Sequence, residues 1–182
     1  MTEFKRRITS RTRARRRAAE VLYEAEQKGA INSPAQLLSL LEERKSLTAA
    51  SSPLPAYAAQ IVEGVAGRLP QIDALLKEHV KGSEIDRLPA VDLAVLRVGT
   101  WELIANTQDV PPITAIDEAV SVVKHISTDE SPGYVNAVLD AIRKDLAARE
   151  PEVADAVEET EVSAAAETAT DEVDFDEILD EY

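Results

Sequence analysis

Apolar residues recur along this chain with the 3.6-residue period of α-helices, and no useful stretch alternates with the period of two that a half-buried strand needs. Over 11–28, Ala14, Ala18, Val21, Leu22 and Ala25 share one face, with Ser10 placed to cap the start and Gly29 to stop the end. Ser33-Pro34-Ala35-Gln36 reads as a capping box with proline at the first helical position. It opens a helix carrying Leu37, Leu38, Leu40 and Leu41. After the break at Ser51-Ser52-Pro53-Leu54-Pro55, a long helix carries Tyr57, Ile61, Val65, Ile72, Leu75 and Leu76. Gly64 and Gly67 weaken it by about 1 kcal/mol each relative to alanine, so close helix packing is expected there. Lys81-Gly82-Ser83 ends it, and the next helix begins near Pro89. Its residues Val91, Leu93, Val95, Leu96, Val98, Leu103 and Ile104 are apolar nearly all round, the pattern of a buried central helix.

Asp109-Val110-Pro111-Pro112 breaks the chain again, and Ile113, Ile116, Ala119, Val120 and Val123 follow at helical spacing. A polar loop, Ser127 to Gly133, precedes a last helix with Val135, Val138, Leu139, Ile142 and Leu146 on one face. Six or seven helices with short breaks predict an all-α domain over 11–149, after a basic arm at 1–10. Past Pro151 large apolar residues are missing until Phe175, so 150–182 is expected to be a disordered acidic tail.

Charge is segregated along this pattern. The net charge is −14, yet residues 1–17 hold eight Lys or Arg against Glu3 alone, and residues 150–182 hold fourteen Asp or Glu and no cation. A basic head implies an anionic partner at one end of the molecule. The chain has no cysteine, which excludes disulfides and thiolate chemistry and fits a reducing cytoplasm, the expected location. Neither a signal-peptide apolar core nor a bilayer-length apolar run is present, so no membrane partner is expected.

The first helix concentrates the chemistry. Five of residues 11–17 are arginine. At 100° per residue, Arg16 and Tyr23 project away from the apolar stripe with Arg13 and Arg17 on one flank, while Arg11 and Arg15 lie nearer the stripe. Guanidinium forks match phosphate, and a tyrosine ring stacks an unpaired base, so nucleic acid, RNA ahead of DNA, is the expected ligand. The loop Thr128 to Tyr134 is a second candidate, through free N–H groups at a helix start and a stacking ring at Tyr134; a plain capping loop with a core tyrosine is the competing account. Enzyme readings find little support. His79 and His125 lack patterned carboxylate partners, the glycines form no phosphate loop or dinucleotide fingerprint, and no metal-ligand spacing appears, so neither cofactor nor metal is expected. Asp92 with Arg97, and Asp140 with Arg143, read as ion pairs, and Trp101 as half-buried.

Four ordered segments resemble the NusB family. They are the arginine-rich Arg11 to Ala18 running into Val21-Leu22-Tyr23; Val91 to Leu103; Val110-Pro111 leading to Ala115-Ile116-Asp117-Glu118-Ala119-Val120; and Ser131 to Asp140 with Tyr134-Val135-Asn136-Ala137-Val138-Leu139-Asp140. The resemblance covers about 11–149. It implies an all-α fold of two small helical bundles and a non-enzymatic transcription antitermination role. The implied ligand is the boxA element of ribosomal RNA leaders, bound together with the ribosomal protein NusE. Other Nus factors and RNA polymerase are implied indirectly. By position, the RNA-binding residues are Arg11, Arg13, Arg15 and Arg16, with Tyr23, and Glu130, Ser131 and Tyr134 in the loop. His79, Asp92 and Glu102 fall in helices implied to face NusE. The chain departs from the family pattern at Thr12 inside the arginine run, implying one phosphate contact fewer. Asp117 replaces the usual Asn, and Ala137 the usual Gly, where an added methyl is expected to alter packing.

Two other functions compete. One is a homodimeric protein–protein module with the basic helix at the dimer face, which some family members resemble. The other is an RNA cytosine methyltransferase with a NusB-like N-terminal domain, disfavoured because this sequence carries no cofactor loop and no catalytic cysteine. At the far end, Phe175, Ile178, Leu179 and Tyr182 occupy one face of a two-turn acidic helix, positioned to compete with RNA for the arginine face.

Overall fold

The structure, a computed structural model, describes residues 9–46, 52–80 and 85–167, with side chains up to residue 149. Among the described residues it is built of six α-helices and one 3-10 turn, with no strand. They are α1 (Ser10–Gln27), α2 (Pro34–Ser46), α3 (Ala56–His79), the turn Ile85–Arg87, α4 (Ala90–Ala105), α5 (Pro112–Ile126) and α6 (Ser131–Glu167). The all-α reading and the order of helices are as the hydrophobic period predicts. Contacts divide the chain into Met1–Lys144 and Asp145–Tyr182. The division falls a few residues before the expected boundary at 149–150, whereas the backbone of α6 continues beyond that boundary to Glu167. The amphipathic segment around Phe175 and Tyr182 lies outside the described residues.

Local chemistry explains the helix ends. Thr9, not Ser10, caps α1: its hydroxyl accepts from the Thr12 N–H at 3.0 Å. Gly29 stops the helix with φ +68°. Its N–H donates to Glu26 O and the Ala30 N–H to Ala25 O, the paired bonds of a Schellman motif, which needs a left-handed residue there. Ser33 caps α2 through the Gln36 N–H at 3.4 Å. The polar loop before α6 is shorter than expected, because helix begins at Ser131.

Helix α4 is the centre of the first unit and packs against α1, α3 and α5. Every residue from Asp92 to Leu103 is buried, as an apolar-all-round helix requires. Trp101 is buried too, rather than half-buried, and lies against Gly64 of α3. Gly67, by contrast, faces open space and serves no close approach. No described helix is long and apolar enough to cross a membrane.

Helix α1 is tied to its neighbours by ion pairs. Arg97 donates from Nε to Asp73 on α3 at 2.9 Å and from Nη1 to Glu26 on α1 at 2.6 Å. Burial works against the Arg97 charge, but Asp73 and Glu26 outweigh it and raise its pKa. Asp92 and Arg97 are therefore not partners of each other; Asp140 and Arg143 are, at 2.8 Å.

On the other side, Arg44 of α2 donates from Nε to Glu24 at 2.7 Å, and Lys28 pairs with the same carboxylate. The hydrogen bonds from Arg44 and then Lys28 hold the Glu24 pKa at about 2, below the ordinary 4.5. Because the folded pKa is depressed, this contribution to stability is present above about pH 4.5 and is lost as pH falls through about 2. Acid titration of melting temperature should therefore show a steeper fall in that window for the parent than for Glu24→Gln. Parallel curves would show that the pair contributes nothing.

Candidate nucleic-acid interface

The arginines of α1 divide into two sets, because 100° per residue sends neighbours in different directions. Arg11, Arg13 and Arg16 are exposed and Arg17 is half-buried, whereas Arg15 is only 3% exposed. Arg13, Arg16 and Arg17 line one cleft of about 780 Å³, together with Ser10, Glu20, Ser52 and Pro55. Arg11 is aimed elsewhere, its guanidinium carbon 5.0 Å from the centre of the Tyr57 ring.

Arg15 points into the protein, against the expectation that it serves RNA. Its Nε donates to both Glu102 carboxylate oxygens at 2.9 and 3.0 Å, and its Nη1 reaches Glu118 at 3.2 Å. The Tyr57 hydroxyl donates to Glu102 and accepts from Asn106 Nδ2 at 3.1 Å. Thr12 donates to Glu118 at 2.6 Å. One buried network thus joins α1 to α3, α4 and α5. Burial opposes the Arg15 charge, but the hydrogen bond and charge of Glu102 raise its pKa. The Tyr57 pKa is pushed up by burial and then by Glu102, so the phenol keeps its proton. Glu102 is fully buried and cannot meet a partner protein. Its role is to hold the arginine helix in place.

Asp92 is likewise withdrawn from any partner surface, at 3% exposure. Its two carboxylate oxygens accept from Ser127 and, at 2.8 Å, from Ser131. Ser131 also bonds Ser127 and Thr128, each at 2.9 Å, and is itself buried. Ser131 is therefore a support of the loop rather than a contact residue. The loop presents Thr128, Asp129 and Glu130 to solvent, with Tyr134 half-buried one turn into α6. The Tyr134 pKa is raised by burial and then by the Asp92 charge. His79 is half-buried, and its Nδ1 lies 2.9 Å from the Leu75 carbonyl.

Tyr23 is 40% exposed and borders a small apolar groove with Ala19, Glu20, Val91 and Ile126. Val91 and Ile126 directly precede Asp92 and Ser127 in the chain, so groove and loop share supports. Glu20 borders both this groove and the arginine cleft. Of the predicted residues, Arg13, Arg16 and Tyr23 thus belong to one continuous surface along α1.

Residues 12–144 match the NusB family model. The chain belongs to the NusB family. Transcription antitermination proteins NusB from Beutenbergia cavernae and Saccharopolyspora erythraea are 43% and 46% identical to it, over 72% and 73% of this chain and 88% and 86% of theirs. The protein of the same name from Bifidobacterium longum subsp. infantis is 40% identical over 91% of this chain and 87% of its own. Among solved structures, T. maritima NusB superposes with a TM-score of 0.60 at 29% identity, covering 75% of this chain and 92% of that one. NusB in the structure of antitermination factors NusB and NusE with double-stranded RNA gives 0.58 at 29% identity, covering 75% and 99%.

The departures from the NusB pattern now have physical readings. Thr12 does not delete a phosphate contact, because position 12 is buried and its hydroxyl joins Glu118 to the Thr9 cap. Ala137 is exposed, so its methyl disturbs no packing, and Asp117 is exposed as well. The residues that sequence reasoning passed over are Thr12, Tyr57, Asn106 and Glu118. Their signal was polar atoms on faces that also carry core residues.

Proposed function

We propose that this NusB-family protein is an RNA-binding antitermination adaptor, binding boxA of ribosomal RNA leader transcripts together with NusE. The observation that carries the reading is the continuous surface along α1. There the cleft of Arg13, Arg16 and Arg17 adjoins the apolar groove at Tyr23. Guanidinium groups beside an aromatic edge fit the two halves of a single-stranded nucleotide, phosphate and base. The Asp92-braced loop with Glu130 and Tyr134 extends this surface beyond Ile126. A relative's structure with NusE and RNA supports the same assignment, and His79 remains the candidate NusE contact.

The test is titration of labelled boxA RNA with and without NusE, at several salt concentrations. Each arginine–phosphate contact on single-stranded RNA contributes about 0.7 to the log–log salt slope. Replacing Arg13 and Arg16 together by alanine should reduce the slope by about 1.4 and leave helicity unchanged. An unaltered slope in that folded double variant would defeat the reading.

A further inference from the structure

The arginine cleft already contains an anion. Glu20 stands in its wall, with Oε1 3.0 Å from Arg16 Nε and Oε2 3.6 Å from Arg17 Nε. One carboxylate thus spans two guanidinium groups in the way a phosphate would. Spacing explains the reach, since Arg16 and Arg17 lie four and three residues before Glu20 on the same helix. The side chain is solvent-accessible and so displaceable, at 44% exposure. Among the described residues no carboxylate pairs with Arg13, the third arginine of the cleft. The cleft therefore offers one open cation and two that are engaged.

We propose that Glu20 is a resident competitor for phosphate, and that it sets the affinity threshold of the RNA surface. The inference rests on the RNA-binding reading of this cleft. A polyanion engaging Arg16 and Arg17 must displace Glu20 and bring a phosphate near its carboxylate. Any RNA meets this penalty, whatever its sequence. Only an RNA with further contacts, such as a base in the adjoining Tyr23 groove, offsets it, so loosely bound polyanions are shed. Glu20 also lines that groove, so its displacement takes place where base and phosphate meet. An ordinary helix-surface salt bridge makes a different prediction: its loss would lower melting temperature and leave anion affinity alone.

The test compares Glu20→Gln with Glu43→Gln, which removes an equal charge from the exposed face of α2. Two probes are used on the full chain: inorganic pyrophosphate, followed by the NMR signals of the arginine Nε–H groups, and labelled RNA, both boxA and a uridine oligomer. Exposed pairs at this spacing are each worth about a factor of two, so Glu20→Gln should tighten both RNAs by about two- to five-fold over the control. Its salt slope should steepen by up to about 1.4, as two arginines regain counterions to release. Pyrophosphate should shift Arg16 and Arg17 at lower concentration. Affinities and slopes equal to those of Glu43→Gln would overturn the proposal. So would weaker binding in Glu20→Gln, which would make Glu20 an acceptor for RNA. Tighter pyrophosphate binding in a chain that binds no RNA would leave the competitor in place and defeat the RNA reading instead.

Discussion

Replacing Arg15 by alanine will destabilise the fold by about 3–5 kcal/mol, the cost of leaving a buried carboxylate without its cation. Glu102 is fully buried and takes both Arg15 Nε bonds, so no water replaces the lost donor. Glu118 loses its Arg15 contact as well and keeps Thr12. The double replacement Arg15→Met with Glu102→Leu should recover much of the loss, because it removes the charge that the single variant strands. Urea unfolding at neutral pH measures both. Below its unfolding transition, the single variant should keep the parent's salt slope for RNA, since Arg15 reaches no phosphate. A near-neutral stability change with a flattened slope would return Arg15 to the RNA surface.

That prediction marks where sequence reasoning stopped. The helical period located all six helices, and the buried centre at α4 followed from its apolar circumference. The two surfaces along α1 were also readable: the same 100° arithmetic that set Arg16 and Tyr23 outward placed Arg11 and Arg15 beside the apolar stripe. What hid the role of Arg15 is that an arginine-rich run advertises phosphate, while its buried partners sit about ninety and a hundred residues away, at Glu102 and Glu118. Burial of Asp92 and Glu102 was implicit once α4 was read as buried on all sides. Charged residues on such a helix have nowhere to point but inward, where they must be paired or hydrogen-bonded. Position in a motif favoured a partner-facing role, and geometry favours an internal one. The loop chemistry could not have been read at all, because the bonds from Ser127 and Ser131 to Asp92 span 35 and 39 residues.

The glycines of α3 provide the second test, with opposite signs expected a turn apart. Any Gly→Ala change inside a helix gains about 1 kcal/mol in propensity. At Gly67 nothing lies within 4 Å of an added methyl, so Gly67→Ala should keep that gain and raise the melting temperature. At Gly64 the methyl would lie 2.0 Å from Trp101 Nε1 and 2.2 Å from Cε2, far inside contact distance. The indole is a rigid ring buried on α4, so it yields only by moving as a whole or by pushing α3 away. Overpacking of this kind costs about 1–3 kcal/mol and occasionally more, and a ring that cannot bend away puts this case at the upper end. The clash therefore outweighs propensity, and Gly64→Ala should lose about 2 kcal/mol net. The damage should spread toward the RNA surface, because Trp101 is adjacent in sequence to Glu102, and Tyr57, one partner of Glu102, lies on the same helix as Gly64. Displacing the indole loosens the anchor of α1, so RNA affinity should fall in Gly64→Ala while every arginine of the cleft is intact. Unfolding curves and RNA titrations of the two variants side by side decide the matter. Equal stabilisation of both would mean that α3 and α4 are not in close contact at Gly64.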